Sequence, residues 1–343
     1  MEQVAKLAGT SRATVSFVLN EKWAQRGISQ KTCQRVRKVA NAYGYRPNYL
    51  ARSLVSGKTR IIGVQFPSFL YDHWSSILID LENQARQRDY RLLLSMPHSY
   101  LDEKGQIEML LEHRVDGLIL APLRGRRLWR MYQLMDREKI PYVFLGNSPG
   151  KDYFSVVDDN AGQASMAVRH LIGLGHTRIA QVLGSPKSRG VIERHLGYRQ
   201  ALVDASLPFR KEYVCLGESS VESARRQAGR LLELPHPPTA VYCISDAMAI
   251  GAIEGIEAAH LYVPHDIAIV GHADDLPFKS FQRIPLTTVR QPREQLAAQS
   301  MKMLFERMEG KVPESKFVQL PGELIVRRSC GAALSCHSAT GAV

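Results

Sequence analysis

Seven short apolar segments recur along the chain from residue 61 onwards, and they limit the folds that this part of the sequence can adopt. The segments are IIGVQF, RLLLS, DGLILA, PYVFLG, RIAQVLG, TAVYCIS and DIAIVG. Each has the length of a buried strand, and between them lie stretches with helical spacing, such as Ile77, Leu81 and Ala85. Strands that alternate with helices predict a doubly wound α/β architecture, and the length of this region predicts two subdomains.

The positive charge of the chain is concentrated at its N-terminal end. The net charge is +12, and residues 1–60 hold twelve Lys and Arg residues against only two acidic residues, Glu2 and Glu21. The remaining 283 residues hold 33 basic and 31 acidic residues. One concentrated basic block is typical of a surface that binds a polyanion. The charge alone is compatible with nucleic acid and with an anionic membrane.

The arrangement of the basic block favours DNA. Gly9 ends a first short helical pattern, Ser11 is the expected N-cap of a second helix, and Ser29 is the expected N-cap of a longer third helix. Two short helices across a tight turn, braced by a third, form a helix-turn-helix unit. A helix that lies on a membrane would instead have a broad apolar face with bulky aromatic side chains.

The phrase VAKLAGTSRATVSFVLN, followed by YRPNYLARSL, closely resembles the N-terminal part of the lactose/galactose repressor (LacI/GalR) family. In that family the second helix lies in the major groove of DNA, and the ARSL segment forms a hinge helix whose leucine enters the minor groove. The resemblance therefore implies an all-α helix-turn-helix head over residues 1–46, then a hinge helix and linker over residues 47–60. The DNA-binding residues that it implies are Arg12, Ala13, Thr14, Ser16, Phe17, Asn48, Arg52 and Leu54.

These residues have different expected roles. Arg12 can form a bidentate pair with guanine, although a phosphate contact is the alternative. Leu54 can unstack a base step as an apolar wedge, with ordinary packing as the alternative, and Asn48 can cap the hinge helix. Phe17 stands where the family usually has Arg or His, so an apolar side chain that can touch a thymine methyl replaces a hydrogen-bonding one. Ala13 also faces the bases, and Thr14 and Ser16 lie near phosphate.

The resemblance continues through RVDGLILAP, HLIGLGHTRIA, PTAVYCISDAMAIGAI and PLTTVRQP, and so covers essentially the whole chain. It implies a two-lobed α/β domain of the periplasmic-binding-protein type (type I) over residues 61–328, with an effector cleft at the carboxyl ends of the strands. The effector-binding residues that it implies are Tyr71, His73, Trp74, Asp158, Arg194, Ser245, Asp246 and Asp274.

An aromatic plane beside acidic, basic and hydroxyl groups suits a carbohydrate, because sugar rings have apolar faces and paired hydroxyls. Two departures from the family affect this interpretation. Ser245 stands where many sugar-binding members have Asn, and the segment GHADD is one residue longer than the usual G-[FY]-D-D, which can displace Asp274. Packing in the core of a lobe is the alternative for Trp74, and a helix cap is the alternative for Asp158.

The predicted function is that of a transcription regulator, most often a repressor in this family, which acts as a homodimer on a pseudo-palindromic operator. A solute-binding protein would need a signal peptide and would not need the basic head. The N-terminus has no apolar signal segment, so we expect the protein in the cytoplasm, at the nucleoid.

An enzyme that uses a nucleotide cofactor would need a Gly-rich phosphate loop after a strand. The sequence Gly57-Lys58-Thr59 lacks the first glycine of such a loop, since Arg52 stands there, and no Ser/His/Asp or Cys/His set is apparent. We therefore expect no enzyme activity and no cofactor. We also expect no metal site, because the five cysteines are scattered and Cys330, Cys336 and His337 belong to a Ser/Ala/Gly-rich C-terminal tail, residues 329–343.

Overall fold

The computed structural model describes residues 1–45, 57–66, 72–97, 101–122, 128–185, 189–275 and 283–332, with only the backbone at residues 72 and 73. The chain divides into two compact units, residues 1–60 and 61–343. The hinge helix with Asn48, Arg52 and Leu54 falls outside the described residues, as do Tyr71 and most of the C-terminal tail.

The first unit is helical in its described part. It contains α1 (Glu2–Leu7), α2 (Arg12–Leu19), a 3-10 turn (Ala24–Arg26) and α3 (Gln30–Ala42). Ser11 Oγ accepts the backbone N–H of Thr14 at 3.1 Å, and Ser29 Oγ accepts that of Thr32 at 3.3 Å. Both predicted N-caps are therefore confirmed.

A small apolar core joins the three helices of the first unit. Its buried members are Val4, Ala5, Ala8, Val15, Val18, Cys33, Val36 and Ala40. Gly9 closes the turn between α1 and α2 with a φ of +56°, a conformation that costs little only for glycine. The predicted helix-turn-helix unit is confirmed.

The second unit contains two six-stranded sheets among its described residues. The strands are β1 (Ile61–Gln65), β2 (Arg91–Ser95), β3 (Gly117–Leu120), β4 (Tyr142–Gly146), β5 (Ser155–Asp158), β6 (Ile179–Leu183), β7 (Val214–Leu216), β8 (Ala240–Cys243), β9 (Ala268–Ala273), β10 (Thr287–Arg290), β11 (Phe317–Leu320) and β12 (Glu323–Ile325). The first sheet has the order β11-β5-β4-β3-β1-β2, and the second has the order β12-β10-β9-β8-β6-β7. The strand pairs are parallel, apart from the antiparallel pair of β10 with β12.

Each sheet is covered by helices and forms one lobe. The helices are α4 (Asp72–Arg86), α5 (Glu103–Glu112), α6 (Trp129–Arg137), α7 (Asn160–Gly173), α8 (Arg189–Asp204), α9 (Val221–Leu232), α10 (Asp246–Ala258) and α11 (Arg293–Met308). Helices α4, α5, α6 and α11 belong with the first sheet and form the first lobe, and α7 to α10 belong with the second sheet and form the second lobe. The predicted two-lobed α/β fold is confirmed.

The described chain crosses between the lobes at three places. It passes from β5 into α7, from β10 into α11, and from β11 into β12. Each lobe is therefore assembled from separate stretches of sequence. The three crossings lie side by side. Gly322, in the crossing from β11 to β12, lies close to Arg290 at the end of β10 and to Gln163 in the first turn of α7. A Cβ at Gly322 would lie 2.7 Å from the Arg290 carbonyl oxygen.

Two glycines let α10 lie directly against the backbone of α9. A Cβ at Gly251 would lie 2.1 Å from the carbonyl oxygen of Val221, and a Cβ at Gly255 would lie 2.5 Å from that of Arg225. Real side-chain carbons do not approach an oxygen so closely, so this helix pair depends on both glycines. Among the described helices, none is long and apolar enough to cross a membrane.

Candidate DNA interface and effector cleft

The exposed side of α2 presents the residues predicted to face DNA. Arg12 and Ala13 are exposed, while Ser16 and Phe17, one turn further along, are partly buried. These four positions lie opposite Val15 and Val18, which are fully buried in the core of the first unit. The helix therefore offers a face with one cation, one aromatic ring and small groups.

Local hydrogen bonds hold the hydroxyls on this helix. Thr14 Oγ1 lies 3.0 Å from Ser11 Oγ, and Asn20 Nδ2 donates to Ser16 Oγ at 3.3 Å. Both hydroxyls are thus oriented by the protein, and each can still bind a phosphate oxygen on its free side. Sequence reasoning did not select Asn20, although its place one turn after Ser16 was a usable signal.

The third helix adds positive charge to the first unit. Lys31, Arg35, Arg37 and Lys38 are all exposed on α3. Arg37 pairs with Glu21 at 2.6 Å, which neutralises one of the two acidic residues in residues 1–60. Arg26, in the 3-10 turn, lies with its guanidinium carbon 5.0 Å from the centre of the Phe17 ring, and sequence reasoning missed it.

In the second unit, segments that follow the carboxyl ends of strands in both lobes come together where the effector cleft is expected. The cleft is closed at one point, where Arg189 Nη1, at the start of α8 in the second lobe, donates to the Ser148 carbonyl oxygen of the first lobe at 2.5 Å. The same guanidinium donates to Glu193 Oε1 at 2.7 Å. Neither Arg189 nor Glu193 was predicted, although they stand one turn apart on the helix that contains Arg194.

Trp74 forms an apolar wall of the cleft in the first lobe. Its ring centre lies 5.0 Å from that of Phe66, which follows β1, at an angle of 36°. The ring also lies over Gly146 at the end of β4, where a Cβ would come within 3.0 Å of it. Trp74 is partly buried and packs against the first-lobe core, so it contacts the core and the cleft at once. His73 is its neighbour in α4, but its side chain is outside the described atoms.

Arg194 and Asn160 form a hydrogen-bonded polar pair beside the expected cleft. Arg194 Nε donates to Asn160 Oδ1 at 3.0 Å, and Arg194 Nη1 donates to the Ile244 carbonyl oxygen at 2.6 Å. Asn160 Nδ2 in turn donates to Glu193 Oε2 at 3.2 Å. The guanidinium is therefore fixed in orientation. Asn160 was missed by sequence reasoning, although it stands in the same VDDNAG phrase as Asp158.

Asp158 ends β5, at the first crossing between the lobes, and is only 5% exposed. Gln163 Nε2 donates to Asp158 Oδ1 at 3.5 Å, and Gln163 Oε1 lies 3.0 Å from His272 Nε2, which continues the contact into the second-lobe core. Burial raises the pKa of Asp158 to about 6, and the positive charge of Arg194 opposes that shift. The helix cap at this point is Asp159, which accepts the Gly162 backbone N–H.

Ser245 and Asp246 begin α10 and are used by the protein itself. Ser245 caps the helix by accepting the Met248 backbone N–H at 3.3 Å. Asp246 is 1% exposed; Thr288 Oγ1 donates to its Oδ1 at 2.5 Å, and the Asp275 backbone N–H donates to its Oδ2 at 3.1 Å. Burial raises the pKa of Asp246 to about 6. These contacts favour a structural role for Asp246.

Asp274 is also held within the second lobe. It is 1% exposed, and its two carboxylate oxygens accept Arg290 Nε and Arg327 Nη2, each at 2.8 Å. Two arginines thus satisfy this carboxylate, which lies in the lengthened GHADD segment. The contacts favour a role in which Asp274 fixes the end of β9. Trp74, Asp158 and Arg194 stay predicted effector contacts, and of these the structure brings Asp158 and Arg194 close enough for their charges to interact.

Replacing Asp158 by Asn will stabilise the protein at neutral pH. The raised pKa means that the folded state disfavours the charged carboxylate, so stability is greatest when the group is protonated and falls as the pH rises from about 4 to about 6. We expect the gain in Asp158→Asn to grow from about 1 kcal/mol at pH 4.5 to at most about 3 kcal/mol at pH 7.5. Thermal unfolding of both proteins across this range measures it.

The control for this prediction is Asp152→Asn, because Asp152 is exposed and its replacement makes the same change in net charge. We expect no comparable pH-dependent gain there. If Asp158→Asn raises the free energy of unfolding equally at pH 4.5 and pH 7.5, the raised pKa of Asp158 is contradicted.

Two family models match this chain. Residues 1–48 match the model described as bacterial regulatory proteins, lacI family, and residues 168–330 match the model described as a periplasmic binding protein-like domain. Similar proteins include two named HTH-type transcriptional repressor PurR. That of Aliivibrio salmonicida is 31% identical over 96% of this chain and 98% of its own length, and that of Yersinia pestis is 32% identical over 96% of each.

Solved structures are similar over the whole length as well. A lac repressor dimer bound to operator and the anti-inducer ONPF has a TM-score of 0.86 and 27% identity, over 95% of this chain and 97% of that one. A complex of the transcriptional regulator CelR with cellobiose has a TM-score of 0.71 and 28% identity, over 96% and 98% of the two chains. The similarity therefore extends across both units.

Proposed function

Since the chain belongs to the LacI family of bacterial transcription regulators, and not to a family of enzymes, we propose that it is a repressor that recognises a specific operator through α2. The observation on which this mainly depends is the exposed face of α2, with Arg12, Ala13 and Phe17, beside the basic surface of α3. A recognition helix needs side chains that reach base edges, and nearby cations hold it on the phosphates. In the proposal, the segment with Asn48, Arg52 and Leu54 adds a minor-groove contact.

The proposed effector is a small polar molecule, a sugar or sugar derivative, that binds between the lobes. Trp74 and Phe66 supply an apolar plane, and Asp158, Asn160 and Arg194 supply donors and acceptors for ring hydroxyls. The structure of CelR with cellobiose, a relative over the whole chain, supports this class. Tyr71, His73 and Ser245 stay proposed contacts, while Asp246 and Asp274 would position the strand ends around the effector.

The proposed active form is a homodimer on a pseudo-palindromic operator. The lac repressor structure with its operator is a dimer, and this chain is similar to it over 95% of its length. The first lobe has apolar groups that a second copy can cover. Leu94 is exposed on the edge strand β2, Met96 is exposed just after it, and Ile79 on α4 is 63% exposed. A stable monomer at micromolar concentration in sedimentation experiments would contradict the dimer.

In the proposed mechanism the effector binds one arrangement of the two lobes better than another. It can shift the equilibrium between them by no more than its difference in affinity. The first lobe follows the head and hinge in the sequence, so rotation of that lobe within a dimer would change the spacing of the two heads. The arrangement that the effector prefers determines whether it lowers or raises the affinity of the protein for its operator.

The operator is tested by selecting binding sites from random duplexes and comparing the protein with Arg12→Ala. We expect the protein to enrich a pseudo-palindrome. We expect Arg12→Ala to bind that site about 5- to 150-fold more weakly, with a much smaller loss on random duplex. Failure of the unmodified protein to enrich any sequence at low salt would refute the proposed function. An equal loss on both kinds of DNA would assign Arg12 to phosphate.

The effector is tested by thermal unfolding with a panel of sugars, sugar phosphates and nucleobases. A ligand of the cleft raises the melting temperature, and we expect Trp74→Ala to abolish that rise. If a nucleobase raises the melting temperature and sugars do not, the effector is not a carbohydrate, but the proposed cleft still stands. An aromatic plane can stack on a nucleobase as well as on a sugar ring. A ligand that raises the melting temperature without changing operator affinity would contradict the coupling.

A further inference from the structure

The turn after α2 brings a cation to the DNA-facing side of the first unit. Arg26 stands nine residues after Phe17 in the chain, yet its guanidinium carbon lies 5.0 Å from the centre of the Phe17 ring. Arg26 is exposed, and Phe17 is partly buried. Because Phe17 belongs to the exposed face of α2, the guanidinium extends that face.

The backbone of the turn is well held, so Arg26 has a defined starting point. The backbone N–H groups of Arg26 and Ile28 both donate to the Trp23 carbonyl oxygen, at 3.2 and 3.0 Å. Trp23 and Ile28 also pack against the apolar core of the first unit. Gly27, with a φ of +65°, ends the turn. The side chain of Arg26 is therefore placed by an ordered segment.

The acidic residue nearest to this turn in the sequence does not compete for Arg26. Glu21 accepts Arg37 Nη2 at both carboxylate oxygens, at 2.7 and 2.6 Å. The pairing leaves Arg26 on the Phe17 ring with its charge available to an incoming anion.

The guanidinium carbon of Arg26 lies over the face of the Phe17 ring. A guanidinium whose flat face rests on an aromatic ring keeps the N–H groups at its edge free to donate to another partner. That orientation suits a bidentate pair with O6 and N7 of guanine in the major groove. The ring also limits the rotamers of the arginine before DNA binds, which lowers the entropy lost on binding. Lysine keeps the charge but cannot reproduce the planar fork.

We propose that Arg26, seated on the ring of Phe17, is a base-reading residue of the DNA interface. This inference rests on the proposed function, because it needs α2 to lie against a duplex. In this arrangement Arg26, from the turn, supplies the hydrogen-bonding side chain that position 17 lacks, and the Phe17 ring supports the guanidinium.

The test uses the full-length protein and the pseudo-palindrome that it selects. Affinities are measured at fixed salt for that site, for each single-base-pair change in a half-site, and for random duplex. The variants are Arg26→Lys, Phe17→Leu and the double variant that combines them. The matched control is Arg199→Lys, because Arg199 is an exposed arginine of the second unit whose guanidinium carbon also lies 5.0 Å from the centre of a phenylalanine ring, that of Phe209.

We expect Arg26→Lys to keep its affinity for random duplex and to lose about 5- to 150-fold of discrimination at one base pair per half-site. Phe17→Leu should lose discrimination at the same base pair, and the double variant should be no worse there than Arg26→Lys. Arg199→Lys should discriminate as the unmodified protein does.

Full discrimination in Arg26→Lys, or losses at different base pairs in the two variants, would overturn the inference while the regulator itself still selects an operator. Absence of any selected site with the unmodified protein would instead refute the proposed function.

Discussion

Raising the salt concentration from 50 to 200 mM will weaken the binding of this protein to duplex DNA by about three to five orders of magnitude. The physical reason is the concentration of charge in residues 1–60, where twelve Lys and Arg residues stand against two acidic residues, one of them paired with Arg37. Two such heads on one operator can make about six to ten phosphate contacts, and each releases condensed counterions. Titrations at several salt concentrations measure the slope.

One exposed cation of the first unit and one of the second unit give a matched pair of variants for this measurement. Arg35 is exposed on α3, so Arg35→Gln should reduce the salt slope by about one for each head that contacts phosphate there. Arg178, in the second unit, should leave the slope unchanged when replaced by Gln. An affinity for duplex DNA that hardly responds to salt would mean that the basic block does not bind phosphate.

Replacing Gly251 by Ala will destabilise the second unit by about 3 kcal/mol or more. The added Cβ would lie 2.1 Å from the Val221 carbonyl oxygen, which is backbone and cannot turn away, so α9 and α10 would have to separate along their length. For a unit of this size we expect the melting temperature to fall by about 6–12 °C. Thermal unfolding followed by circular dichroism measures the change.

Helix α9 contains its own control for that experiment. Gly229 has no atom within 4 Å of the place that a Cβ would take. Gly229→Ala should therefore be neutral or stabilise the protein by up to about 1 kcal/mol, since alanine is the better helix former. Similar melting temperatures for Gly251→Ala and Gly229→Ala would show that the two helices do not pack as closely as described.

Local signals in the sequence were enough to predict the first unit and seven of the strands that the structure describes in the second. The N-caps at Ser11 and Ser29 depend on a hydrogen bond to a residue three positions on, so the sequence contains the whole interaction. The seven apolar segments became β1, β2, β3, β4, β6, β8 and β9. The five strands that were not predicted lack a clear apolar run, since β5, β10, β11 and β12 contain polar or charged residues and β7 has only three residues.

Contacts between distant parts of the chain explain why the cleft was harder to predict. The family resemblance assigned Asp274 to the effector site, yet Arg290 and Arg327 bind its carboxylate after the chain has folded back. Asn160 and Glu193 meet Arg194 only because α7 lies against α8. Such roles depend on tertiary structure, which residue type and spacing alone do not report.

The crossings between the lobes bear on how the chain is completed during synthesis. The first lobe needs α11 and β11, which end at residue 320, whereas the second lobe already has five of its strands by residue 290. Domains generally fold as units once their segments have emerged from the ribosome. The lobe that is begun first therefore stays incomplete until residue 320, and its apolar surfaces remain uncovered while nearly all of its neighbour is translated.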